Sequence, residues 1–296
     1  MRTLLILCAL ASPALAQQPK KLTVAIYAPS VEFASSTARV AYVQSLAKAI
    51  EQNTGLQVDA QSYANLAAMK KDNVDFAIID GPCYATNLGW KLLANAQIGG
   101  GTTRAYALFA NDAKDMQSLK GKKLAFIAAG CNDAGFVDNA MLDSEVDAAF
   151  FGARVGKPDL NAAVAEVAQT KTAQALFAPV GSAKGLTKLF DTGAVPNPAF
   201  VDVSGKQPAA VVEKVAAAVV GFGGGGAIAG WSKPARDIYT SFAGRLGRVT
   251  KTPVFANPEP ARIDSRDVLI EPPSIKDYAL VGVRHHFVRA PGERME

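Results

Sequence analysis

Histidine and tryptophan are scarce in this chain, two of each in 296 residues, and cysteine occurs three times. Lys and Arg outnumber Asp and Glu by 31 to 26, a net charge of +5, but no block of five like charges occurs. Charge scattered in this way describes a solvated surface and argues against a nucleic-acid or membrane-binding patch. No apolar run approaches the ~20 residues that crossing a bilayer requires. The two histidines, His285 and His286, are adjacent. On a strand they would face opposite ways and could not hold one metal together. No G-x-S-x-G elbow is present to build a Ser-His-Asp centre. Residues 221–226 match G-x-G-x-x-G, yet a helical pattern precedes them where a dinucleotide site needs a strand. They are read as a flexible joint. The sequence therefore assigns no catalytic residue, no metal and no cofactor, and an enzyme is not expected.

What the chain does have begins at its start. Arg2, an apolar stretch from Leu4 to Leu10, and Ala14-Leu15-Ala16 before Gln17 form the layout of a secretory signal peptide over residues 1–16. A soluble periplasmic protein is expected, with ~280 residues left to fold, enough for one large domain or two lobes. Cys8 falls in the leader, leaving Cys83 and Cys131 in an oxidising compartment. Spacing alone leaves a disulfide and two buried free thiols equally open.

Strand and helix patterns alternate along the mature chain. Strands are expected at 22–27, 56–60, 74–79, 104–110, 123–128, 175–180 and 200–203. Helices are expected at 38–52, 63–70, 82–93, 134–147, 160–170, 183–190 and 208–220. Repeated βα alternation implies mostly parallel sheets. Two similar sets, each running strand, abrupt turn, cysteine, helix, suggest two α/β lobes joined by linkers near 104–111 and 196–203. The expected layout is lobe 1 over 17–110, lobe 2 over 111–197, a return to lobe 1 over 198–256, and a proline-containing tail over 257–296.

Residues 73–83 are the most informative stretch. The apolar run 74–79 lacks alternation, as a strand covered on both faces does, and stops at Asp80-Gly81-Pro82. Pro82 suits the first turn of a helix. Ligands of open α/β sheets collect beyond the carboxyl ends of such strands, where Asp80, Cys83 and Tyr84 are expected. Asp80 has two compatible roles there, accepting hydrogen bonds from a ligand and capping the helix that begins at Pro82. In the second set, Gly130-Cys131-Asn132-Asp133 precedes a helix start that would favour an anion, but Asp133 places a negative charge of its own there. Tyr27, Phe33, Tyr63, Tyr84, Tyr106 and Phe136 fall at strand ends or beside loops, positions from which some of them would line a largely apolar pocket.

Three stretches carry a family resemblance. Residues 74–82 (Val-Asp-Phe-Ala-Ile-Ile-Asp-Gly-Pro), 116–126 (Met-Gln-Ser-Leu-Lys-Gly-Lys-Lys-Leu-Ala-Phe) and 195–201 (Val-Pro-Asn-Pro-Ala-Phe-Val) follow one another in that order. Over residues 22–222 the chain resembles the periplasmic substrate-binding proteins of the phosphate/phosphite/phosphonate ABC-transporter type. The resemblance implies the type II periplasmic-binding fold, two lobes closing on a ligand that is passed to a membrane partner. Phosphonate binders of that family carry a Ser/Thr-rich stretch at the second lobe's helix start. Residues 129–135, Ala-Gly-Cys-Asn-Asp-Ala-Gly, have no hydroxyl and one carboxylate. Residues 169–175 also lack the Gly and Asp usual before the later strand. The fold carries over and phosphonate specificity does not.

The expectation is an exported, monomeric solute-binding protein that captures a small organic ligand in the interlobe cleft for a membrane permease. The ligand would be uncharged or weakly polar, extending to lipid-like. Tyr27, Ser30, Tyr63, Asp80, Cys83 and Tyr84 would contribute from the first lobe, and Arg104 and Tyr106 near the hinge. Cys131, Asn132, Asp133 and Asp159 would contribute from the second lobe. Two alternatives remain: a thiol enzyme or soft-metal binder using Cys83 and Cys131, and a ligand-sensing subunit of a membrane kinase.

Overall fold

The computed structural model describes residues 21–143, 146–147 and 149–247. The leader, the histidine pair and the expected tail lie outside the described residues. In the first lobe, β1 (Leu22–Tyr27), α1 (Ser36–Thr54), β2 (Val58–Ser62), α2 (Leu66–Lys71), β3 (Phe76–Ile79), α3 (Gly81–Ala85) and β4 (Lys91–Gln97) follow in order. The second lobe comprises β5 (Thr103–Ala110), β6 (Lys123–Ile127), α4 (Asp133–Gly135), a π-helical stretch over Phe136–Met141, β7 (Ala153–Lys157), α5 (Leu160–Ala168), β8 (Ala175–Pro179) and β9 (Thr187–Pro196). The chain then returns through β10 (Ala199–Asp202), α6 (Ala209–Gly221), β11 (Gly230–Ser232) and α7 (Asp237–Leu246).

A six-stranded sheet has the order β11-β4-β10-β3-β1-β2 and a five-stranded sheet the order β7-β6-β8-β5-β9. Pairings at the βα-connected strands are parallel: β1 with β2 and β3, and β6 with β7 and β8. The strands that follow a crossing between the sheets, β5 and β10, pair antiparallel to both neighbours. Both sheets are therefore mixed, because a chain arriving from the other lobe needs no crossover helix to pair antiparallel. The crossing segments are residues 98–102 and 197–198, so Thr103–Ala110 lies wholly in the second sheet.

Local chemistry explains the long helices. Ser35 caps α1 by accepting from the Ala38 amide, and Gly55 ends it in the left-handed region at φ 72°. Its Tyr42, Val43, Leu46, Ala47 and Ile50 are buried, as helical spacing requires. Three expected helices were misplaced. Residues 82–93 hold only the five-residue α3, and Lys91–Gln97 is strand β4, buried between β10 and β11. Residues 183–190 run into β9, paired along β5. Residues 134–147 shorten to α4 and the π-helical stretch. At 82–93 and 183–190 sheet pairing overrode the helical reading, whereas residues 134–147 stay helical only as far as Met141. The glycine run 221–226 ends α6 and turns tightly, with a bridge between Gly225 and Ile228, before β11.

One core cluster continues across the boundary between the sheets. It joins Tyr27, Ile79, Cys83 and Tyr84 to Tyr106, Leu124, Cys131, Val137, Phe177, Tyr239 and Phe242. Helix α7 braces this boundary. Tyr239 Oη donates to the Asn197 carbonyl at 3.0 Å, and Arg245 donates to the carbonyls of Ala194 (2.9 Å), Thr192 (3.0 Å) and Ala140.

Candidate ligand-binding site

Two turns meet where the lobes face each other. The first follows β3, the second follows β6, and a disulfide joins them: Cys83 and Cys131 have an S–S distance of 2.08 Å and Cα atoms 4.9 Å apart. This resolves the open thiol question. It removes the free thiolate that an enzyme or soft-metal site would need in this form.

On the first-lobe side, Asp80 is buried, 2% exposed. Its side chain makes no capping bond to α3. It accepts instead from the Ser30 amide and the Ser30 hydroxyl, both at 2.7 Å. Arg104 of β5 reaches across the boundary and donates to the Ser30 carbonyl at 3.1 Å and the Ser30 Oγ at 2.9 Å. Its Nε donates to Asn197 Oδ1 at 2.7 Å, and Asn197 Nδ2 donates to the Gly101 carbonyl at 2.7 Å. A buried relay thus runs from the cleft carboxylate through Ser30 and Arg104 to both crossing segments. Burial pushes the Asp80 carboxyl above its ordinary range; the Ser30 bonds and the Arg104 charge oppose that push. Buried polar groups tied together in this way are costly to disturb singly.

On the second-lobe side, Asp133 folds back on its own turn. Its carboxylate accepts from the Gly130 amide at 3.1 Å and the Cys131 amide at 3.3 Å. These are the amides that would face a bound anion, and the chain's own carboxylate already occupies them. Asn132 adopts a left-handed conformation, φ 62°, caps Gly135 through Oδ1 at 3.1 Å, and donates to the Leu246 carbonyl at 3.4 Å.

Between the turns lies a cavity of about 20 Å³, bordered by Ser30, Asp80, Tyr106, Cys131, Asp133 and Phe136 among others. That is room for about one water molecule. Tyr106 packs edge-to-face on Phe136 at 6.2 Å, with the Arg104 guanidinium 5.9 Å from its ring centre. Tyr27 stands beside the cavity and donates from Oη to the Ala129 carbonyl at 2.7 Å, an interlobe bond. Burial raises the Tyr27 phenol well above its usual value, with Asp80 and Asp133 adding to the effect.

The remaining expected residues sit elsewhere. Tyr84 is buried against Tyr239, ring centres 4.7 Å apart, with Oη on the Trp90 carbonyl at 3.3 Å. Tyr63 bonds to Asp72 at 2.9 Å within the first lobe, and burial and that bond push its phenol up to about 12. Asp159 caps α5 through the Ala162 amide at 2.8 Å and borders a separate cavity of about 250 Å³ with Pro29, Phe33, Ser35, Arg39 and Asn161. Asn197 and the Ala129 carbonyl were not anticipated; Asn197, set between two prolines on a crossing segment, was the readable clue. A larger cavity of about 740 Å³ shares no lining residue with the cleft and is lined by Met116, Met141, Leu142, Val146, Phe150 and Phe190 together with Arg245 and three aspartates.

No family model and no curated protein matches the chain. Solved structures do. A Prochlorococcus marinus protein in complex with methylphosphonate matches with TM-score 0.60 and 12% identity, over 77% of this chain and 98% of that one. A binding-protein component of an ABC phosphonate transporter from Pseudomonas aeruginosa matches with TM-score 0.60 and 14% identity, over 77% and 88%. A Xanthomonas citri protein bound to ATP matches with TM-score 0.60 and 11% identity, over 76% and 96%. The chain has the type II periplasmic-binding fold. At these identities the likeness is one of architecture.

Proposed function

We propose that this chain is an exported, non-enzymatic solute-binding protein that closes its two lobes on a small organic molecule and delivers it to a membrane transporter. One observation carries the reading: polar and aromatic side chains from both lobes, Ser30 and Asp80 opposite Tyr106, Phe136 and Asp133, converge at the lobe boundary of a two-lobed fold. The likeness to binding proteins of ABC phosphonate transport supports the transport role. It does not supply the ligand. The cleft brings Asp80 and Asp133 together beside the Arg104 guanidinium, and the Gly130 and Cys131 amides that would face an anion are filled by Asp133. A neutral or weakly cationic solute that donates hydrogen bonds suits this wall; a phosphonate does not. Native mass spectrometry of the protein recovered from its own periplasm tests the reading. A small neutral or cationic organic molecule is expected, and phosphate or phosphonate alone would overturn the ligand class.

A second reading keeps the binding role and moves the ligand. The 740 Å³ cavity falls in the usual range for organic ligands and combines apolar residues, two methionines among them that adapt to irregular shapes, with Arg245 and three aspartates. It suits an amphipathic, lipid-like molecule with a polar end. Met141→Glu and Asp80→Asn separate the two: the variant that loses the co-purified ligand marks the site.

A further inference from the structure

The disulfide joins the lobes at one edge of the cleft, and this has a geometric consequence. Disulfide-linked Cα atoms stay within about 7 Å of each other, and here they stand 4.9 Å apart. Asp80 and Pro82 lie within three residues of Cys83, and Asp133 lies two beyond Cys131. The backbone also presses on the second crossing segment here: a Cβ on Gly81 would sit 2.0 Å from the Pro196 carbonyl oxygen. This edge cannot gape. The other edge has no covalent tie: it is held by the Leu160 amide on the Pro29 carbonyl at 3.0 Å, by Asn161 Nδ2 on the Phe33 carbonyl at 2.8 Å, and by Arg104 on Ser30, which lies between Pro29 and Phe33 in the chain. Beside those hydrogen bonds lies the 250 Å³ cavity lined from both lobes.

We propose that the Cys83–Cys131 disulfide pins one edge of the cleft, so that the lobes part as a wedge and solute passes through the Pro29–Phe33 and Asp159–Asn161 edge. The proposal rests on the reading that the lobes move to exchange solute, but its test needs no ligand. Opening then breaks the hydrogen bonds of that edge, the Arg104 bonds to Ser30 included, and leaves the bonded turns in place. The wedge also accounts for a polar centre that stays nearly sealed while the far edge already holds space.

Spin-label distances decide it. One pair, T37C with Q169C, spans the lobes through α1 and α5; the other, T86C with A134C, sits beside the disulfide; all four positions are exposed or at α5's end. In the chain with its native disulfide, the first pair is expected to show a population at longer distance, and the second a single short distance. Replacing both cysteines, C83S/C131S, is expected to add longer distances at the second pair. Equal broadening of both pairs in the disulfide-bonded chain overturns the proposal. So does a narrow distribution at the first pair, or a second pair that ignores loss of the bond. If C83S/C131S does not fold, the contrast between the two pairs in the disulfide-bonded chain still decides. A failure to find any solute would leave these distances unaffected.

Discussion

The two cysteine-bearing turns occupy matching places, one after β3 and one after β6, yet they are built in opposite ways. The first is held from outside: Asp80 reaches Ser30, fifty residues away in sequence, and Gly81 is pressed against the Pro196 carbonyl. The second is held from within: Asp133 satisfies the amides of Gly130 and Cys131, and Asn132 caps Gly135. A carboxylate that bonds elsewhere ties its turn to the lobe around it. One that bonds at home fills a turn that would otherwise take an anion. The same side-chain type thus makes one wall of the cleft part of a buried network and makes the other self-contained.

Breaking the link between the turns should have the largest effect. The disulfide closes a loop of 48 residues, for which the chain-entropy argument gives about 4 kcal/mol. C83S/C131S should lower the denaturant midpoint accordingly, and an unchanged midpoint would mean that non-covalent packing alone holds the lobes. The two turn glycines sharpen the contrast. Gly81→Ala drives a methyl into the Pro196 backbone and should cost about 3 kcal/mol. Gly130→Ala meets nothing within 4 Å and should cost only the left-handed conformation at φ 66°, about 1 kcal/mol. Equal losses in thermal unfolding would erase the distinction.

The carboxylates should differ in pH response. Because burial raises the folded-state value for Asp80, its carboxyl contributes most stability while protonated. That contribution fades as pH rises from the ordinary carboxylate range through the raised value. Asp80→Asn should remove this decline, seen as a flatter curve of unfolding midpoint against pH from the ordinary carboxylate range upward. A curve parallel to that of the parent chain would show that Asp80 does not titrate there. An effect as small as that of Gly130→Ala is expected from Tyr27→Phe, which deletes one interlobe hydrogen bond to Ala129, about 1 kcal/mol by chemical denaturation.

Much of the first turn was readable in the sequence. An unalternating apolar run ending in Asp-Gly-Pro has few structural meanings, and β3 with its abrupt stop follows from it. The acid in the second turn was equally visible. What failed was the direction of some side chains: the Asp80 carboxylate makes no capping bond to α3, and Tyr63 and Tyr84, expected to line the cleft, bond within the first lobe. Sequence spacing places a residue at a strand end but does not say which distant group meets it there. Strands β4 and β9 were missed for a related reason, since their neighbours in the sheets come from elsewhere in the chain.

By itself, then, the sequence determined two α/β lobes, the placement of a cysteine at each strand-end turn, and a second turn poor in anion donors. These follow from local composition and period. Only the tertiary structure decided that the cysteines are bonded, that Asp80 is spent on Ser30 beside Arg104, and that the cleft between them closes to about 20 Å³. Those outcomes depend on contacts between residues as far apart as 74 positions, which no local pattern encodes.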